Sequence, residues 1–218
     1  MGLGSFLATV RSRRQALRQR FDVVRQFEQL EESCVPSYVH ANLIAAGIAW
    51  GRLGLAATLW RRYAKPGPVL DFGAASGEIY HFLGLAPEYH FIEADPILDR
   101  ALQAEIPTAI KENGVAAGHY SAIFALDSLE HNDDHATLLT QLAAGLNPDG
   151  VLILSGPTES WFYRLGRSIA GFSGHYHKTT IYDIQRTAAT MLDQVASCTL
   201  PLPGLSLFHV SVWRSRRG

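Results

Sequence analysis

From Val69 to Gly156 the sequence alternates short apolar runs with helix-length stretches, and few architectures accept that rhythm. Apolar runs fall at 69–72, 89–94, 120–127 and 151–156, with a shorter one at 108–111. Helical patterns occupy about 77–85, 97–105 and 134–146 between them, the last closed by the turn sequence Asn147-Pro148-Asp149-Gly150. Strands that read as unbroken apolar runs are covered on both faces, and the intervening helices supply the cover. The pattern therefore predicts an α/β fold built on a doubly wound, mostly parallel sheet. The tail differs. A helix near 179–194 leads into two strand-like runs, QVASCTL and LFHVSVW, separated by a Pro-Leu-Pro-Gly break. That gap is too short for a crossover helix and allows antiparallel pairing.

Ahead of this core, residues 5–32 have helical periodicity, with Leu7, Val10, Leu17, Phe21 and Val24 on one side. Arg11, Arg13, Arg18, Arg20 and Arg25 fall on the others. Such a stretch is either a solvated helix packed on the domain or a basic amphipathic lid with weak affinity for a membrane surface. Pro36 interrupts the pattern, and a second helical segment runs over 38–63 until Lys65-Pro66-Gly67-Pro68 stops it. Within it, residues 41–60 have spanning length but carry Arg52 in the middle. A central arginine costs about 2.5–3.5 kcal/mol on insertion scales, so the segment reads as a buried or half-buried helix. The expected organisation is an N-terminal helical segment or lid, 1–64, and a ligand-binding domain, 65–218.

Composition narrows the function classes. With 218 residues, 47% hydrophobic and 18% charged, the chain can bury a full core. A net charge of −1 provides no basic field for nucleic acid. Cys34 and Cys198 stand alone, with no paired spacing for a disulfide framework or zinc knuckle, and read as small buried hydrophobes in a reducing compartment. The start MGLGSF has Phe6 where the myristoylation pattern needs Ser or Thr. A cytoplasmic location is expected, with peripheral membrane contact through the basic helix as the second reading.

The stretch VLDFGAASGE, 69–78, carries the chemistry. In an open parallel sheet, ligands bind beyond the carboxyl ends of the strands, next to the first one. A dinucleotide site would show Gly-x-Gly-x-x-Gly there, but Ala75 takes the second glycine's place and Glu78 the third's. Asp71, Glu78, Glu93 and Asp95 are expected to cluster at the strand ends. A pyrophosphate would meet that field unfavourably, whereas a ligand with a sulfonium and an ammonium would be drawn to it. S-adenosylmethionine has both cations and no phosphate. Glu93, ending the second strand, is placed to accept the ribose hydroxyls, a role shared with NAD sites.

With these features in view, VLDFGAASG resembles motif I of the class I S-adenosylmethionine-dependent methyltransferases. FIEADP resembles their second motif, and ALDSLEHNDD with LNPDGVLILSGPTE their fourth- and fifth-strand region. The resemblance runs from about Val69 to Glu159. It implies a Rossmann-like seven-stranded sheet whose last strand is antiparallel. It further implies that Asp71, Gly73, Ala75 and Gly77 hold the methionine part, Glu93 the ribose, and that Ala94 borders the adenine. Asp127 would sit by the transferring methyl or the amino group. Ala75 departs from the usual middle glycine, and no clear acid follows the third strand; Glu112 and Asn113 are the candidates there.

The expected reaction is methyl transfer to a small-molecule acceptor by in-line displacement, with a base needed only where the acceptor must lose a proton. His131 and His177 are the candidate bases, chosen for imidazole's near-neutral titration. Tyr38, His40, Trp161, Tyr163 and Tyr176 are candidate acceptor contacts, forming an aromatic wall for a flat or apolar acceptor. Asp127, Glu130 and His131 also match an arrangement that ubiquinone-pathway O-methyltransferases are thought to use for a divalent ion. A loop-orienting role is the preferred reading, and no metal is assigned. The competing functions are a nucleotide-dependent oxidoreductase and a non-catalytic, membrane-associated protein on the same fold.

Overall fold

Seven strands form one sheet in the order β3-β2-β1-β4-β5-β7-β6. They are β1 (Val69–Phe72), β2 (Tyr89–Ile92), β3 (Ile110–Lys111), β4 (Tyr120–Leu126), β5 (Leu146–Pro157), β6 (Leu192–Leu202) and β7 (Leu205–Ser215). The computed structural model describes residues 2–30, 33–84, 88–132, 134–158, 179–202 and 205–216. Neighbours from β3 to β5 pair in parallel, and β7 runs antiparallel to both β5 and β6. The expected seven-stranded sheet with a reversed final strand is therefore present. The apolar runs become strands because both faces are covered: Leu70, Ile123 and Leu152 pack on one side, Val69, Ala122, Phe124 and Ile153 on the other.

The helices between strands are α5 (Tyr80–Leu83), α6 (Pro96–Glu105), α7 (His135–Gly145) and α8 (Ile181–Met191). Each of the longer ones starts at a side-chain cap. The Asp95 carboxylate accepts the N–H groups of Ile97 and Leu98, Asp134 accepts that of Thr137, and Thr180 with Asp183 forms a capping box. The Asn-Pro-Asp-Gly turn does not close α7 outside the sheet; it lies within β5. Asn147 accepts the Asp149 N–H, forming a tight Asx turn, and pairing with β4 shifts register there. Gly150 is required at this point, because a Cβ would stand 2.8 Å from the Tyr120 carbonyl.

The N-terminal segment divides into α1 (Leu3–Arg20), α2 (Phe27–Leu30), α3 (Val35–Val39) and α4 (Leu43–Tyr63). The expected single helix over 5–32 ends early, with Phe21 in an extended conformation and its side chain buried. Leu17, Phe21, Val35, Trp50 and Leu53 share one core with Phe82, Phe91 and Phe124 of the sheet domain. By length and apolarity alone α4 could cross a membrane, yet Trp50, Arg52, Leu53, Ala56 and Ala57 are buried within the fold. The arginines of α1 also differ from a solvated face. Arg13 is buried and bonds Glu78 and Glu105, Arg14 and Arg18 donate to the carbonyls of His40 and Val39, and Arg20 reaches Glu105. Leu3 and Leu7 point outward instead. Glu78 explains the inversion: a carboxylate this deep needs a cation, and Arg13 supplies it. Cys198, expected inside, is exposed on β6.

Candidate active site

A cleft of about 440 Å³ opens at the carboxyl ends of β1, β2 and β4. Its walls include Asp71, Gly73, Ala75, Glu93, Ala94 and Asp127, all expected there. Tyr38 and His131 also reach it, together with Cys34, Ser128 and Asn132. The loop after β1 shapes the floor. Gly73 adopts φ +69°, and a Cβ on it would collide with Ser128. Ala75 holds a left-handed φ of +47° where the family pattern has glycine. Gly77 does not line the cleft. At φ +75° it lets α6 approach, since a Cβ would lie 2.9 Å from Leu102.

Four of the loop's N–H groups are already used. Gly73 and Ala74 donate to the Ile92 carbonyl, Ala75 to Glu93 at 2.6 Å, and Gly77 to the Ala74 carbonyl. A ligand carboxylate therefore cannot count on them, contrary to the simplest reading of a glycine-rich turn. Glu93 accepts one N–H on each oxygen, from Ala75 and from Asp95 at 2.8 Å. A carboxylate offers about four acceptor sites, so both oxygens can still take hydroxyl donors.

Asp71 is 3% exposed and accepts a 2.6 Å hydrogen bond from the Tyr89 hydroxyl. Burial pushes its pKa up to about 7, with the Tyr89 bond pulling back and the Glu93 charge adding to the rise. Asp127 has a different environment. Arg52, itself 2% exposed, forms an ion pair with one carboxylate oxygen, and Ser155 donates to the other at 2.8 Å. Arg52 also donates to the Tyr38 hydroxyl at 3.0 Å and contacts the Cys34 sulfur at 3.4 Å. Its guanidinium is held above its ordinary pKa: burial opposes the charge, but Cys34 and Tyr38 more than offset it.

Ser128 escaped the sequence reading. Its hydroxyl is buried at the cleft wall with no hydrogen-bond partner among the described residues. Only its proximity to Gly73 could have marked it, and that is a three-dimensional fact. His40 lies elsewhere: its Nδ1 accepts the Asn42 N–H at 3.0 Å, and it lines a separate depression with Arg18 and Phe21. The chain turns from α3 into α4 at His40, which takes the imidazole away from the cleft. Glu130 is buried beside the cleft-lining His131. Trp161, Tyr163, Tyr176 and His177 lie outside the described residues.

A parallel sheet with a single reversed strand, and acids gathered over its first two strands, defines the class I S-adenosylmethionine-dependent methyltransferase fold. Residues 52–209 match the family described as a methyltransferase domain, and the chain belongs to that family. The nucleotide-dependent oxidoreductase reading falls with that assignment. No curated protein matches the sequence. Solved structures agree on the fold. The PH0226 protein from Pyrococcus horikoshii OT3 has TM-score 0.66 at 12% identity, covering 87% of this chain and 99% of its own. The N-methyltransferase NodS from Bradyrhizobium japonicum WM9, bound to S-adenosylhomocysteine, has TM-score 0.63 at 14% identity over 78% of this chain and 88% of its own. Magnesium protoporphyrin IX methyltransferase from Synechocystis PCC 6803, with the same ligand, has TM-score 0.61 at 15% identity over 80% and 89%.

The residues present fit the cofactor of this class. Among the described residues Asp71, Glu93 and Asp95 line the cleft with no ion pair, and the Ser128 hydroxyl on the same wall has no hydrogen-bond partner. Asp127 is already met by Arg52 and by Ser155, so its charge is compensated before any ligand binds.

Proposed function

We propose that this protein binds S-adenosylmethionine in the β1–β2–β4 cleft and methylates a small-molecule acceptor. The observation that carries the reading is the pairing of Asp71 with Glu93 on one wall of a cleft of about 440 Å³. That volume lies in the range of small-molecule sites, about 300–1,000 Å³. When bound, the cofactor supplies a methyl group on a sulfonium, displaced in line by a lone pair of the acceptor.

The chain's residues divide the work. Asp71, ionised, answers the ammonium of the methionine part. Glu93 accepts the ribose hydroxyls with the acceptor sites that Ala75 and Asp95 leave. Ala94 borders the adenine, and Ser128 donates or accepts beside Gly73. Tyr38 closes the wall toward the acceptor side, its hydroxyl oriented by Arg52. His131 removes a proton where the acceptor must lose one. Burial of this wall excludes water, which strengthens each of these electrostatic contacts. Related folds accept varied partners: MtfA, at TM-score 0.57 and 14% identity, is a glycopeptide N-methyltransferase. A small acceptor is favoured here because the net charge of −1 offers no field for nucleic acid. A cytoplasmic location accompanies this reading. Membrane contact through α1 has little support, since Arg13, Arg14, Arg18 and Arg20 turn to protein acceptors.

Thermal shift with S-adenosylhomocysteine and with NAD tests the cofactor. Stabilisation by S-adenosylhomocysteine alone is expected; stabilisation by NAD alone overturns the reading. A metabolite extract incubated with methyl-labelled cofactor then reveals the acceptor, with label expected in a low-molecular-weight product.

A further inference from the structure

Away from the cleft, two histidines and two glutamates gather beneath the β3-β2-β1-β4 half of the sheet. His90, on β2, is 5% exposed, and both its ring nitrogens face carboxylates. Nδ1 lies 2.7 Å from Glu112 and Nε2 lies 3.0 Å from Glu88. His119, immediately before β4, sets its ring edge-on to His90, with centroids 5.3 Å apart and planes at 80°. One ligand atom each from Glu88, His90 and His119 falls within 4.8 Å of the others. None of the four residues lines the active-site cleft.

A neutral imidazole has one N–H and one lone pair. If the N–H serves Glu112, the lone pair of Nε2 faces a carboxylate oxygen, which is repulsive unless a cation lies between them. A second proton would meet that need for His90 and Glu88 alone, and would not account for the His119 donor atom converging within 4.8 Å of theirs. A metal ion uses all three donors. We propose that Glu88, His90 and His119 form a binding site for a zinc-type divalent cation, with Glu112 orienting His90 from behind.

The donor set supports that choice. Two imidazoles and one carboxylate suit zinc, leaving a fourth position for water, whereas magnesium and calcium prefer oxygen ligands throughout. Zinc–ligand distances are about 2.0–2.2 Å, so the donors must close somewhat from their present spread. Glu88 and His119 are both exposed and can rotate to do so, while the buried His90 stays fixed. The carboxylate on its far nitrogen fixes the tautomer and raises ligand basicity, the usual arrangement behind a metal-bound histidine. Glu88 precedes β2 and His119 precedes β4, with β1 between these strands. The ion would fasten the amino ends of β2 and β4 across β1, on the side of the sheet opposite the strand ends that form the cleft.

The test titrates metal-free full-length protein with zinc, and separately with magnesium, by calorimetry. One zinc per chain is expected, and no magnesium binding at the same concentrations. Cobalt substitution should give visible absorption characteristic of histidine-ligated cobalt. His119→Ala and Glu88→Gln, both at exposed positions, should each weaken zinc binding at least tenfold with unchanged circular dichroism. Glu112→Gln should weaken it about 10–100-fold. Absence of zinc binding, or binding left intact in both the His119→Ala and Glu88→Gln variants, overturns the proposal. S-adenosylhomocysteine affinity should be the same in these variants as in wild type, which separates this site from the cleft.

Discussion

The acids around the cleft are handled in two ways. On the β1–β2 side, Asp71 and Glu93 are held by neutral donors: a tyrosine hydroxyl and two backbone N–H groups. Toward the N-terminal helices, Glu78 and Asp127 are each met by an arginine, Arg13 from α1 and Arg52 from α4. Neutral donors orient a carboxylate without supplying a countercharge. An arginine cancels the charge and ties two chain segments together. One side of the cleft is thus kept ready for a cationic ligand, while the other uses its acids as anchors for the N-terminal segment.

The anchored side should give the largest effect on stability. Arg52→Met leaves Asp127 inside the fold without its cation, and breaking a buried pair this way costs about 3–5 kcal/mol. At about 2–4 °C per kcal/mol for a chain of this size, the melting temperature should fall on the order of 10 °C. Adding Asp127→Asn removes the stranded charge and should restore much of the loss. A drop below about 1 kcal/mol for Arg52→Met would show that the two sides do not differ as described.

The open side should respond through ligand binding. Asp71→Asn keeps the shape of the side chain and removes its charge, so S-adenosylmethionine should bind at least about tenfold more weakly at pH 8, the loss of one charge-assisted bond. In wild type the same affinity should depend on pH. Asp71 titrates near pH 7, and the cationic ligand favours its ionised form. The dissociation constant should therefore rise toward tenfold per unit as pH falls below 7, whereas in the Asn variant it should stay flat over that range. Stability changes in the opposite sense. The folded pKa of Asp71 is raised above its ordinary 3.8, so the folded state holds the proton more tightly than the unfolded one. Its contribution is fully present below about pH 4 and is lost as pH rises through about 7, and Asp71→Asn should melt higher than wild type at pH 8. Urea melts at pH 5 and pH 8 with and without the substitution check both signs.

The same contrast marks how far the sequence could be read. β1, β2 and β4 stand within two residues of their apolar runs, because both faces are buried and turn residues mark the ends. Asp71, Glu93, Ala94 and Asp127 line the cleft because they end strands whose order the fold rule already supplies. The anchored side was not legible. Periodicity places Arg13 on a polar face, but only the fold reveals that Glu78 lies buried beneath it. In the sequence Arg52 reads as an obstacle to membrane insertion; that it closes on Asp127 depends on how α4 packs on the sheet. The helix expected over 77–85 shortens to Tyr80–Leu83, since Gly77 is left-handed and Glu78 is drawn to Arg13.

The smallest effect belongs to the open side's own irregularity. Ala75 stands at φ +47°, a region that costs a residue with a Cβ about 1–2 kcal/mol, and its N–H bond to Glu93 holds it there. Ala75→Gly relieves that strain but gives the unfolded chain more freedom to lose, a counter-cost of about 0.4–1 kcal/mol. The two partly offset, so the variant should gain between zero and about 1.6 kcal/mol, or up to about 3–6 °C. Cofactor affinity should hold, because the Glu93 bond comes from the backbone. The Ala75 methyl is half-buried against the core, and a measured loss of stability would mean that its packing outweighs the strain. In that event the loop would be held by apolar contact as well as by Glu93, and the open side of the cleft would be less dependent on hydrogen bonds than its geometry indicates.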